Sequence, residues 1–266
     1  KNVIKPNIDL VNKQVKLPKQ KINEIKFLSS VNSSGVISRL TILINSDLQS
    51  IKENNNFISS TPLPLITYEV SRLLIKYPAF NTYYFEDNKM IHKDINVGIA
   101  YDNGQNGLKV ASIFNCDTKD LNSIEDEISE LSIKYNNNKL SVKEISSASF
   151  TITDLFSTGV TNFHPLVNNE NSAILGICGL QKNVFNIELS FDHRISNGLE
   201  ASRFLNDLKY RLESRYSKDN DTIESDIKCL KCLRCVDEDV DGNVQFLRSL
   251  NSKDNGYICS LCLDGM

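Results

Sequence analysis

The chain has 266 residues with a formal net charge of -3, and it is 40% hydrophobic and 24% charged. That composition fits a globular protein long enough to bury a large core and still carry an appendage, and its mildly acidic balance offers no broad attraction for nucleic acid or an anionic membrane. No apolar run approaches the ~20 residues a spanning helix needs, and the amino terminus lacks a signal-type apolar region, so a cytoplasmic protein without nucleic-acid or membrane partners is expected.

In chain order, residues 1–16 alternate Lys, Asn and Val without helical period and are expected to lie extended as an N-terminal arm. "LPKQKINEIKFLSSV" places Pro18 in a first turn and apolar Ile22, Ile25, Phe27 and Leu28 at mixed helical spacing, and it predicts a helix. "SGVISRLTILINSDL" alternates as a strand does. "STPLPLITYEVSRLLIKYPAFN" offers a capping Ser/Thr, an apolar stripe through Leu65, Val70, Leu73 and Leu74, and a stop at Pro78, which together predict a helix. "INVGIAYDNGQNGLKVASIFN" reads as two strands around an Asn/Gly turn. In "LNSIEDEISELSIKYNNNKLS", Leu121, Ile124, Ile128, Leu131 and Ile133 fall largely on one helical face, with carboxylates outward. The stretches "SSASFTITDLF", "NSAILGICGLQ" and "NVFNIELSFDH" are β-branched, aromatic or continuously apolar, as strands buried in a sheet are. A helix over residues 199–214 follows the last of them.

Residues 215–226 are polar and charged with almost nothing to bury, so they read as a linker. The expected division is therefore an arm at 1–16, a large mixed α/β domain at 17–214, a linker at 215–226 and a small module at 227–266.

His193 stands where the last strand gives way to "DHRISNG". A histidine on its own is ordinarily structural, and Ser196-Asn197-Gly198 would by itself be a turn and helix cap. His92 and His164 are read as structural. The wider pattern changes the weight on His193. "SFDHRISNGLEASRFLNDLKYRLE" resembles the His-x-x-x-Asp-Gly signature of the acyltransferase component of 2-oxo acid dehydrogenase complexes, a family sharing its fold and mechanism with chloramphenicol acetyltransferase. Upstream, "LLIKYPAFN" with the following "INVGIAYDNGQNGL", and "KLSVKEISSASFTITDLFSTGVTNFHPLVNNENSAILGI", are similar to the family in the same order, so the resemblance covers roughly residues 17–214.

The resemblance implies an α/β chloramphenicol acetyltransferase-like, CoA-dependent acyltransferase fold with a mixed sheet flanked by helices. It implies direct acyl transfer from a thioester to a thiol or hydroxyl, with His193 as general base. The oxyanion donor, a Ser in the family's "FTIS", falls on Thr153 in "FTIT", and strand alternation puts Thr151 on the same face as a fallback. In the family this donor reaches the histidine across a trimer interface, so a homotrimer or a multiple of trimers is implied. Asn197 occupies the position usually held by an Asp that pairs with an early-helix Arg; here that segment offers Lys19, Lys21 and Asn23, so Asn197 is joined to the site as a structural member. Pro165 matches a family proline, whereas "VNNENSA" lacks the proline pair that usually follows.

The implied thioester donors are acyl-CoA, a phosphopantetheinyl carrier protein or a lipoyl arm. Because the lipoyl and subunit-binding segments of full-length components are not part of this sequence, natural-product assembly with an acyl carrier protein as partner is the expected setting. A non-catalytic trimeric scaffold or carrier-binding module is the alternative.

Five of the seven cysteines crowd the carboxyl end. Cys116 and Cys178 read as small buried hydrophobes. Cys229, Cys232, Cys259 and Cys262 form two Cys-x-x-Cys pairs, the donor set of a structural zinc ribbon, with Cys232 and Cys235 as an alternative first pair. Disulfides are disfavoured in a cytoplasmic chain, and the acidic "VDEDVDG" stretch disfavours a nucleic-acid role for the ribbon.

Overall fold

A computed structural model describes residues 11–19, 22, 25, 37–45, 61–216, 245–247 and 256–258. The chain divides into two compact units, Lys1–Tyr216 and Ser217–Met266. The first unit contains β1 (Val11–Lys16), β2 (Ile37–Asn45), α1 (Leu63–Lys76), β3 (Thr82–Phe85), β4 (Asn88–His92), β5 (Val97–Tyr101), β6 (Lys109–Ile113), α2 (Leu121–Asn136), α3 (Val142–Ser146), β7 (Phe150–Asp154), β8 (Ala173–Ile177), β9 (Val184–Asp192) and α4 (Gly198–Tyr216).

Six of these strands form one mixed sheet in the order β2-β9-β8-β7-β5-β6. The β5-β7 and β7-β8 pairs are parallel and the others antiparallel. Its two faces differ in chemistry. One carries Val97, Ile99, Phe150, Ile152, Leu175, Ile187, Leu189 and Phe191, all buried, and each such side chain contributes about 1.5–3 kcal/mol on burial. Phe204 of α4 packs on that face, its ring centroid 6.2 Å from Phe150 and 4.9 Å from Phe80. α1 and α4 are joined by Arg211 and Glu69 at 3.1 Å, a buried pair whose carboxylate is 1% exposed.

The opposite face is polar. Cross-strand pairing sets Ala100, Thr153, Gly176, Glu188 and Thr41 in one row and Gly98, Thr151, Ile174, Ser190 and Arg39 in the next. The segment 155–172 joins parallel neighbours β7 and β8 and passes over this face. Phe163 lies on Gly176, where a Cβ would meet its ring at 2.6 Å, so only glycine fits there. Asn162 Nδ2 donates to Glu188 Oε1 at 2.6 Å, and Thr41 Oγ1 donates to Glu188 Oε2 at 2.8 Å.

Some expected elements differ in detail. The predicted cap of α1 is displaced: Pro62 stands at the N-cap, and Thr61 Oγ1 accepts from the Leu63 amide at 3.3 Å instead. Ile133 of α2 is 62% exposed; Tyr135 takes its place on the buried face, with its hydroxyl donating to the Gly107 carbonyl at 2.9 Å. In the arm, Val11–Lys16 is extended but does more than lie on the surface, since it pairs with β4 in a second sheet of order β1-β4-β3. At the predicted first helix, Lys19, Ile22 and Ile25 are helical and the Ile22 amide bonds the Pro18 carbonyl at 3.0 Å.

In the second unit β10 (Gln245–Leu247) and β11 (Gly256–Ile258) pair antiparallel. Cys229, Cys232, Cys235, Cys259 and Cys262, and with them the zinc expectation, lie outside the described residues.

Candidate active site

β9 delivers the chain to the site. Its last residue, Asp192, is buried, and its backbone carbonyl accepts from the Ile195 and Ser196 amides at 3.0 and 3.1 Å. The turn so closed carries His193, half-buried, with its ring centroid 5.7 Å from that of Phe191. Asp192 and Arg194 flank the histidine and bind each other. Arg194 Nη2 donates to Asp192 Oδ2 at 2.6 Å, and Nε donates to Oδ1 at 2.9 Å.

Asn197 ends the turn as the N-cap of α4. Its Oδ1 accepts from the Glu200 amide at 2.9 Å, and its carbonyl accepts from the Ala201 amide at 3.0 Å. Its side chain therefore caps the helix four residues after His193. Ser196 Oγ donates to Glu200 Oε2 at 2.8 Å, closing the same first turn.

Thr153 is half-buried on the polar face, beside Gly176 and two strands from Glu188. Register sets Thr153 level with Glu188, two strands away, while His193 follows the end of β9 five residues further on; at ~3.3 Å per residue and ~4.8 Å per strand, their backbones are roughly 15–20 Å apart within one chain. One subunit does not bring the two together. Thr151 is nearer the histidine's end of the sheet, but its hydroxyl is committed: it donates to Asn171 Oδ1 at 2.7 Å and accepts from Asn168 Nδ2 at 3.0 Å. A recess of about 500 Å³ opens beside it, lined by Val110, Ile145, Ala148, Thr151, Asn168 and Asn171 among others.

The segment that lacks the family's prolines uses that freedom. Glu170 takes φ 59°, which a proline ring forbids, and its carbonyl accepts from His92 Nε2 at 2.8 Å. Burial lowers the His92 pKa, consistent with a neutral structural imidazole. His164 is exposed beside buried Pro165. Burial also pushes the Cys116 thiol up to about 12, and burial with the Glu188 carboxylate raises Cys178 to about 11, so neither is a nucleophile at neutral pH. Among the described residues, no group of three or more His, Cys, Asp or Glu side chains is placed to hold a metal ion, and no helix is long and apolar enough to cross a membrane.

Sequence reasoning did not pick out Asp192, Arg194 or Tyr84, over whose ring the Arg194 guanidinium sits at 4.0 Å. The Asp-His-Arg string was visible, but Tyr84 reaches it only through the fold.

The family described as 2-oxoacid dehydrogenases acyltransferase (catalytic domain) matches residues 19–217. The chain belongs to this family. Among relatives of the 2-oxoacid dehydrogenase acyltransferases, the dihydrolipoyllysine-residue acetyltransferase component of the pyruvate dehydrogenase complex of Buchnera aphidicola is 37% identical over 169 residues, covering 58% of this chain and 42% of that protein. The chain thus spans less than half the length of that relative. A probable dihydrolipoamide acetyltransferase from Listeria monocytogenes superposes with a TM-score of 0.63 at 26% identity, covering 79% of this chain and 98% of that one. Chloramphenicol acetyltransferase, 12% identical with a TM-score of 0.50 and coverage of 75% and 94%, shares the fold.

Proposed function

We propose that this chain transfers an acetyl or related short acyl group between coenzyme A and a dihydrolipoyl thiol, with His193 as general base. The observation that carries the reading is the seat of His193: the end of a buried strand, on a turn fixed by Asp192, in a chain of the acyltransferase family. The thiol gives its proton to the imidazole, and the thiolate attacks the thioester carbonyl. The tetrahedral oxyanion accepts a hydrogen bond from a Thr153 hydroxyl, and collapse expels the coenzyme A thiolate, which takes the proton back from the imidazolium.

We place Thr153 on a neighbouring subunit of a trimer. The separation of roughly 15–20 Å within one chain supports this, as does the description of one 25% identical structural relative as the cubic core of the pyruvate dehydrogenase complex. The lipoyl arm is put ahead of a phosphopantetheinyl carrier because the relatives are named for dihydrolipoyllysine.

In the second unit, Cys229, Cys232, Cys259 and Cys262 would hold a structural zinc. Their paired spacing supports this, and so does β11, which ends at Ile258, next to Cys259 in sequence. Four thiolates leave no open position, so this metal would stabilise the unit and take no part in acyl transfer.

The test is acetyl-CoA offered with dihydrolipoamide, or with a phosphopantetheinyl carrier protein, while free coenzyme A and the acylated acceptor are followed. Transfer to dihydrolipoamide that falls about 10²–10⁴-fold in His193→Ala is expected. No transfer to any acceptor by the parent chain would favour a scaffold, and full activity in His193→Ala would remove the base.

A further inference from the structure

The two residues flanking His193 are coupled to each other and to a sheet remote in sequence. Asp192 commits both of its polar ends to the turn. Its carboxylate takes the Arg194 amide at 2.9 Å, Arg194 Nε at 2.9 and 3.0 Å and Nη2 at 2.6 Å, while its carbonyl takes the Ile195 and Ser196 amides. The backbone of His193 is thus spanned by bonds from the residue before it to the residues after it. The carboxylate of the pair is only 5% exposed and the guanidinium 30%, so water competes little for these bonds. A bidentate pair of this kind fixes orientation as well as distance.

The guanidinium does not stand alone. Its Cζ lies over the Tyr84 ring, 4.0 Å from the centroid, a cation–π contact for which a lysine ammonium is not an equivalent partner. Tyr84 belongs to β3, which β4 holds in a tight hairpin, and β4 is covered on its other edge by β1. Tyr84 Oη in turn donates to Asp87 Oδ1 at 2.5 Å in the hairpin turn. The small sheet therefore has a defined point of purchase on the turn that carries the histidine.

We infer that Arg194, clamped by Asp192 and stacked on Tyr84, is a positioning residue that sets the orientation of the His193 imidazole. This rests on the reading of His193 as base. Arg194 itself touches no reacting atom, and its loss acts through the ring beside it.

The test compares Arg194→Lys, Tyr84→Leu and Tyr84→Phe with the parent in the intact chain. Steady-state rates with acetyl-CoA and dihydrolipoamide give kcat and KM. In parallel, carbethoxylation of each histidine by diethylpyrocarbonate is followed across pH by peptide mapping. His164, exposed, is the internal reference, and His92, buried, the protected one. Arg194→Lys and Tyr84→Leu are expected to lower kcat about ten- to hundredfold with KM changed less than about threefold, and to shift the pH dependence of His193 modification. Tyr84→Phe keeps the ring and is expected to behave as the parent. A fall in thermal stability in the first two variants with kcat and the His193 profile unchanged would overturn the inference, reducing the clamp to a structural role. The modification readout needs no turnover, so it judges positioning even if His193→Ala proves active and the base assignment fails.

Discussion

His92 Nε2 donates to the Glu170 carbonyl at 2.8 Å, locking a buried imidazole of β4 to the segment that precedes β8. Because a carbonyl can only accept, Nε2 carries the proton in the neutral ring. Burial lowers the pKa of His92 from its ordinary 6.5, so in the window below that value the unfolded chain binds a proton that the folded chain refuses. Stability attributable to this residue is present above the unfolded pKa and is lost as pH falls toward the folded one. His92→Gln keeps an N–H donor without the titration. Its Tm is expected to drop less than that of the parent between pH 7 and pH 5; equal drops in scanning calorimetry would contradict this.

The Asn197 cap makes a prediction about stability separate from chemistry. Asn197→Ala is expected to cost about 1 kcal/mol in denaturant unfolding, and Asn197→Asp to cost little, since both Asn and Asp accept from a helix N-terminal amide. The turnover of Asn197→Asp is expected to stay within about twofold of the parent. A hundredfold loss of kcat in a fully folded Asn197→Asp would place the residue in the reaction.

The two body cysteines supply a third test. With thiols raised to about 12 at Cys116 and about 11 at Cys178, the thiolate fraction near pH 8 is on the order of a thousandth or less. Iodoacetamide at that pH is expected to leave both unmodified in the native chain and to label both after unfolding. Rapid native labelling of either, by peptide mapping, would contradict their burial.

How much of this was legible in the sequence depends on where the determining contacts lie. β9 and α4 were readable because period-two alternation stops at Asp192 and an Asn-Gly pair starts the helix, both local signals. The β3-β4 hairpin was not, because its turn residues are Glu86 and Asp87, at φ 46° and 59°, in place of the Asn-Gly or Asp-Gly that such a turn favours. There the Asn88 side chain, donating to the Glu86 carbonyl at 2.6 Å, supports what glycine would give freely. α3 carried a Ser141/Glu144 capping box whose signal was present but short. Alternation correctly put Thr151 and Thr153 on one face, yet only strand register shows that Thr151 is spoken for by Asn168 and Asn171 and that Thr153 sits far from His193 in its own chain. Tyr84 and Arg194 meet across more than half the first unit, and no periodicity encodes that meeting.

The proposed site is shared between chains. Mixing His193→Ala with Thr153→Ala subunits, by joint unfolding and refolding or by co-expression, measures this directly. Each variant alone should be nearly inactive. In an equal mixture, one half of the subunits offer the histidine and one half the threonine, so about a quarter of the interfaces regain both in a closed ring. Recovery to roughly a quarter of parent activity is the predicted result, and a mixture no more active than the two variants assayed separately would contradict it.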